Sequence, residues 1–269
     1  MPATISDIIN SMESIAPSSL AEEWDNVGLQ VGQKDWPVRT IQVALDPLPD
    51  VVAAACSDGV DLLITHHPLI FHSLKSVDFS TPVGSIINMA IRHRMAIFAA
   101  HTNLDKVADG VNDVLAHRIG LKNLKALAKD RESDDKTQGL GRIGELENSI
   151  GLASFASEIK KSLGIKTVKV AGNPDMLVKN VAVCAGSGSS LMDNFFSSGA
   201  QVYISGDLRY HDARAAEAAR VGLIDIGHFT SEHLIVEVLA ERLKRLLVKT
   251  GIDIEVKACG LETDPFFIL

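Results

Sequence analysis

"VDLLITHHPLIF", Val60–Phe71, runs an apolar stretch straight into two adjacent histidines and a proline. "LLIT" at its centre is one of several short, near-continuous apolar segments, the pattern of strands covered on both faces. On one side lies "TIQVALD" (40–46), a compact apolar strand, followed by "PLPDVVAAACSDG", a short helix opened by proline and closed by Gly59. On the other lie "TPVGSIINMAIRHR", a helix with Pro82 in its first turn, and "MAIFAA", a strand ending at His101. "ADGVNDVLAHRIG" gives a further helix terminated by Gly120. Strands alternating with helices predict an α/β layered domain with a largely parallel sheet.

The charge density rises and the periodicity weakens from Leu121 to Gln138, through "KDRESDDKTQG", and this stretch is read as the domain junction. Beyond it come strand-like "LGRIGEL", helix "GLASFASEIKKSLG", strands "TVKVAG" and "VKNVAVC", a glycine-serine turn "AGSGSS", helix "LMDNFFSSG", strand "AQVYIS", helix "YHDARAAEAARVG" and strand "LIDIG". "SEHLIVEVLAERLKRLLVKTG" follows as one strong helix, with Leu234, Val238, Leu239, Leu243, Leu246 and Leu247 recurring at helical spacing. A final strand, "IDIEVKA", is placed back in the first domain's sheet, which makes the second domain an insertion. The expected division is 1–126 plus 228–269 for the first α/β domain and 127–227 for the second. "CSDGVDLLITHH" and "FSSGAQVYISGD" echo one another as helix end, glycine turn, strand and polar terminus, in keeping with two related halves.

Composition narrows the function classes. A formal charge of -8 argues against a protein that tracks a phosphate backbone, so nucleic acid is not an expected partner. No segment approaches the roughly 20 apolar residues that span a bilayer, and no basic leader precedes the first amphipathic helix, so the expected location is cytoplasmic, away from membranes. Cys56, Cys184 and Cys259 are far apart and flanked by small or apolar residues, which suits buried thiols in a reducing compartment. No Gly-x-Ser-x-Gly nucleophile elbow occurs.

Parallel sheets present their binding groups beyond the carboxyl ends of the strands. Here those ends deliver His66 and His67, then His101 with Asp105 four residues on, then His228 with Glu232 four residues on. Mixed nitrogen and carboxylate donors suit zinc, iron, manganese or cobalt. Five or six such donors exceed the needs of one tetrahedral zinc and favour two ions sharing a water or hydroxide. Taken singly, each residue has a plainer reading: the histidines as exposed hydrogen-bonding groups, Asp105 as a turn cap, Glu232 as a helix-dipole partner. Asp207 and His211 in "SGDLRYHD" repeat the four-residue spacing, "CAGSGSS" has the composition of a weak anion-cradling turn, and Trp24 with Asp25 and Asn26 offers a pocket edge. The remaining histidines, His72, His93, His117 and His233, are less suited to ligation.

The ordered set "WDNVGL", "DLLITHHPLIF", "AAHTNLD", "GSG", "SGDLRYH" and "GHFTSEH" resembles the NGG1-interacting-factor family nearly end to end, whose bacterial members are often named GTP cyclohydrolase I type 2 homologues. The resemblance implies two related α/β domains facing a metal-containing cleft, with the second inserted in the first. It implies two divalent transition-metal ions per subunit held by His66, His67, Asp105, His228 and Glu232, with His101 beside them as a further ligand or a proton-handling residue. It also implies a homohexamer built as a trimer of dimers, in the short form that lacks the inserted central domain of longer relatives. Two functions stay open: a metal-dependent hydrolase acting on GTP or another small phosphorylated or cyclic compound, and a non-enzymatic metal-binding adaptor or metal-handling protein on a ring-shaped scaffold.

Overall fold

The computed structural model describes residues 2–130 and 138–268 and shows an α/β chain built on two sheets. In chain order the strands are β1 (Gly28–Val31), β2 (Thr40–Ala44), β3 (Leu62–Thr65), β4 (Ala96–Ala99), β5 (Lys122–Lys129), β6 (Gly139–Gly151), β7 (Lys169–Ala171), β8 (Leu177–Ser187), β9 (Val202–Gly206), β10 (Gly222–Asp225) and β11 (Glu255–Ala258). Two compact units divide the chain: Met1–Leu104 with Ile235–Pro265, and Asp105–Leu234 with Phe266–Leu269. Among the described residues no helix is long and apolar enough to cross a membrane.

The first unit carries the sheet β1-β4-β3-β2-β11, in which β11, β2, β3 and β4 are parallel and only β1 runs against its neighbour. All four residues of β3 and of β4 are buried, as their unbroken apolar character requires of strands covered on both faces. Val51, Val52 and Ala55 of the helix Pro49–Ser57 pack with Ile86, Ile87 and Ala90 of the helix Pro82–His93 in one core around Leu63 and Ile97. Thr81 caps the second of these helices through Gly84 N at 3.2 Å, and Pro82 opens it.

The parallel register fixes where the polar residues emerge. Ala44 pairs with Thr65 and Thr65 with Ala99, so the three strands end level. Two residues beyond that common row, each chain presents a functional side chain: Asp46, His67 and His101.

The second unit holds the sheet β5-β6-β8-β9-β10-β7, with β8, β9 and β10 parallel and the outer pairings antiparallel. Residues 131–137 of the expected junction lie outside the described residues, but Lys122–Lys129 is a strand rather than a loop. Its weak apolar pattern reflects its place at the sheet edge, where backbone pairing to β6 holds it and its lysines stay in solvent. The helix-glycine-strand step seen twice in the sequence recurs in the structure, with Gly59 (φ +67) and Gly199 (φ +77) both ending a helix in the left-handed region. The single long helix expected from Ser231 is instead two: a short helix His228–Glu232 and a long one Leu234–Lys249. The buried stripe of the long helix, Ile235, Val236, Leu239, Ala240, Leu243 and Leu247, is rotated from the predicted one, because packing partners and not hydrophobicity alone select the face.

Candidate metal centre

In the first unit one ring nitrogen from each of His66, His67 and His101 lies within 4.8 Å of the other two. Every ring is oriented by its second nitrogen. His66 Nδ1 is 2.9 Å from the carbonyl oxygen of Ala100, His67 Nδ1 is 2.7 Å from Asp46 Oδ1, and His101 Nδ1 is 2.9 Å from Asp25 Oδ1. A carbonyl can only accept, so His66 Nδ1 carries its proton and Nε2 keeps a lone pair, the form in which a histidine ligates a metal. The carboxylates of Asp46 and Asp25 impose the same polarity on the other two.

Those two carboxylates are themselves held. The buried carboxylate of Glu262 accepts from Leu45 N at 2.9 Å and from Asp46 N at 2.8 Å, which fixes the loop that brings Asp46 to His67. Asp25 Oδ2 accepts from Thr102 N at 3.0 Å and from the Thr102 hydroxyl. Burial opposes ionisation of Asp25, yet the hydrogen bonds from His101 and Thr102 together with the His101 charge hold its carboxyl far below the usual carboxylate range. A depressed folded-state pKa stabilises the fold above the unfolded value, so this contribution is complete above about pH 4 and is lost only as the pH falls further. Asp25→Asn is expected to weaken metal binding or turnover by about 10- to 100-fold, the cost of losing an outer-shell carboxylate, as measured by competitive metal titration. Unchanged affinity and turnover would show that Asp25 does not orient His101.

The second unit repeats the device. His228 opens its short helix after Gly227, with Nδ1 2.8 Å from Asp207 Oδ2 and Nε2 2.9 Å from Glu232 Oε2. Asp207, at φ +52, occupies a backbone conformation that costs most side chains energy but that Asp tolerates better than most. Asp105 shares this neighbourhood: burial, then the Asp105 charge, pushes the Cys184 thiol up to about 12, and Glu232 adds to the rise. The buried Cys184 thiol is held in its neutral form by these surroundings. Asn112 ties the pieces together, donating from Nδ2 to the Asp105 carbonyl at 3.0 Å and accepting from Ala185 N at 2.9 Å.

The described residues thus contain two clusters able to hold a divalent ion, one of His66, His67 and His101 and one that includes His228 and Glu232. Asp105 belongs to neither compact cluster. Of the Asp207 and His211 pair, Asp207 reaches His228, whereas His211 is exposed and packs on Tyr210 at 5.4 Å. Two amides of the "CAGSGSS" turn are taken within the fold. Gly186 N donates to Ser231 Oγ at 2.8 Å, and Ala185 N is taken by Asn112, so these amides serve the fold.

Gly186 has a different role, which its composition hid. It adopts φ +65, and a Cβ there would stand 2.1 Å from Glu232 Oε1. Gly186→Ala is expected to displace the Glu232 carboxylate and cut metal affinity about 10- to 100-fold, while its left-handed backbone adds a cost of about 1–2 kcal/mol. Wild-type affinity in this variant, measured by competition with a chromogenic chelator, would remove Gly186 from the site. Asp46 and Glu262 escaped sequence reasoning altogether. The register that sets Asp46 level with His67 was the one signal available for it.

Fold and donors together define an α/β protein with two sheets and two side-chain clusters suited to divalent metal ions. The model of the Duf34/NIF3 (NGG1p interacting factor 3) family matches residues 3–265, and the chain belongs to that family. It is 33% identical over 266 residues to a Clostridium acetobutylicum protein named GTP cyclohydrolase 1 type 2 homolog, with 99% of both chains covered. Among solved structures it resembles a Bacillus cereus protein related to NIF3, with TM-score 0.94, 27% identity and both chains fully covered. It also resembles the Staphylococcus aureus hypothetical protein SA1388, with TM-score 0.93, 32% identity and the same complete coverage.

Proposed function

We propose that this chain is a metal-dependent hydrolase in which His66, His67, Asp105, His228 and Glu232 hold two divalent transition-metal ions, zinc, iron or manganese. Its substrate is a small phosphorylated or cyclic compound, GTP among the candidates. The observation that carries this reading is the common polarity of four histidines: His66, His67, His101 and His228 each direct Nδ1 to an oxygen acceptor 2.7–2.9 Å away. Such pairing orients an imidazole for ligation through Nε2 and raises its basicity. The name of the Clostridium acetobutylicum relative supports a cyclohydrolase-like substrate.

A bound metal pair supplies an acidified water and a Lewis acid for a phosphoryl or carbonyl oxygen. The chain's own residues do the rest. His101, whose Nδ1 is fixed by Asp25, handles a proton at Nε2. Glu232 and Asp105 supply negative charge that offsets the ions. In this reading the protein acts in the cytoplasm as a homohexamer, a trimer of dimers, checked by sedimentation equilibrium.

The test is metal content on anaerobically purified protein, followed by turnover of GTP, cyclic nucleotides and small phosphoesters before and after chelation. About two ions per chain are expected, with turnover lost on chelation and restored on reloading. No stoichiometric metal after controlled reloading would remove the hydrolase reading. Tightly held metal without turnover of any compound in the set would move the chain to the metal-handling alternative.

A further inference from the structure

Two aromatic rings stand exposed beside the first cluster, and the structure holds them there. Trp24 is 60% exposed and Phe71 42%. Their ring centres are 5.9 Å apart at 51°, and they lie 6.1 Å and 6.2 Å from the His101 ring, both near perpendicular to it. Two neighbouring exposed rings beside a donor cluster present a flat apolar surface that an aromatic ligand can stack on.

The loops bearing the rings are laced together. Asn26 Nδ2 donates to the Ile70 carbonyl at 2.6 Å, and Ile70 N donates to Gln30 Oε1 at 2.7 Å. Asp25, adjacent to Trp24, is bonded to both His101 and Thr102. Each aromatic residue is therefore one position away from a backbone or side chain pinned to the site. Trp36, the other tryptophan, differs: its indole N–H donates to Gln33 and the Arg94 guanidinium lies 5.6 Å over its ring.

We propose that Trp24 and Phe71 form a stacking platform for a flat heteroaromatic ring, so that the substrate of the site carries such a ring next to the group that reaches His66, His67 and His101. The proposal rests on the hydrolase reading for its reacting group but not for the platform itself. Flat rings of any identity stack on aromatic faces, whereas a sugar phosphate without a base has nothing to place there. A protein partner is disfavoured, because the platform adjoins a buried donor, His66, that only a small group could approach.

The experiment uses the Trp36→Phe chain, in which Trp24 is the one remaining tryptophan. Adenosine, cytidine and ribose 5-phosphate are titrated against zinc-loaded and metal-stripped protein while Trp24 fluorescence is recorded. Saturable quenching by the two nucleosides and none by ribose 5-phosphate is expected, in both metal states. Adding Phe71→Leu, which keeps apolar bulk but removes the ring, should weaken nucleoside binding at least fivefold. Absence of saturable quenching, equal quenching by ribose 5-phosphate, or no effect of Phe71→Leu would overturn the platform. Quenching that persists in a protein without hydrolytic turnover would sink the hydrolase and leave the platform standing. Turnover of ribose phosphates with no recognition of rings would do the reverse.

Discussion

Glu232→Gln is expected to lose more than 100-fold in metal affinity, beyond the range for outer-shell partners, and to abolish turnover while leaving the fold intact. The residue is 4% exposed, and its Oε1 occupies space that only a glycine at position 186 leaves open. Gln has the same shape, so the packing against Gly186 survives. What disappears is the negative charge beside His228 Nε2, 2.9 Å from Oε2. A neutral amide cannot offset a divalent ion, and burial magnifies that loss because solvent screens it poorly. Metal content and thermal unfolding should be read on the same preparation. His211→Ala serves as the comparison: its exposed ring shares the four-residue spacing but not the site, and full metal content is expected. Normal metal affinity in Glu232→Gln would exclude this carboxylate as a ligand.

Arg142→Ala should have the largest effect on stability, about 3–5 kcal/mol. The side chain is fully buried, and its guanidinium is spent on one carboxylate and several carbonyls. Nε and Nη2 donate to the two oxygens of Asp113 at 2.9 and 2.8 Å, Nη1 donates to the carbonyls of Gly139 and Gly141 at 2.8 Å, and Nη2 also reaches the Val107 carbonyl at 2.9 Å. Truncation strands the Asp113 carboxylate and these carbonyls away from water, so the penalty is desolvation without compensation. Lys cannot reproduce the planar fork, and Arg142→Lys should recover little of the loss. The double variant Arg142→Met with Asp113→Leu should fare better than Arg142→Ala, since no charge is left buried alone. Chemical unfolding of the three variants decides it, and a loss under 1 kcal/mol for Arg142→Ala would show that the clamp is not structural. Because the same guanidinium pins the chain just after Asp105, weaker metal binding should accompany the loss of stability.

The strand-helix alternation of the first unit was legible because strands buried on both faces must be apolar throughout and their helices need caps. "LLIT" and "AIFA" could form little else, and proline and glycine marked the helix ends. The clustered side chains His66, His67, His101, His228 and Glu232 were legible too, because the strand-end rule says where polar residues in a parallel sheet will face, whereas Asp105, expected beside them, lies in neither compact cluster. The edge strand Lys122–Lys129 was missed for the complementary reason: an edge strand is held by backbone pairing to a partner, and its side chains need carry no pattern.

Sequence alone therefore determined the fold class and the chemical type of the donors, properties set by local composition and spacing. Tertiary structure alone decided which acceptor orients each imidazole. The Glu262 carboxylate that steadies Asp46 comes from 216 positions away, Asp25 reaches His101 across 76, and Gly186 on β8 clears the space for Glu232 on its short helix. Hydrogen-bond partners and close approaches of this kind depend on how distant segments pack, and no spacing within one segment encodes them.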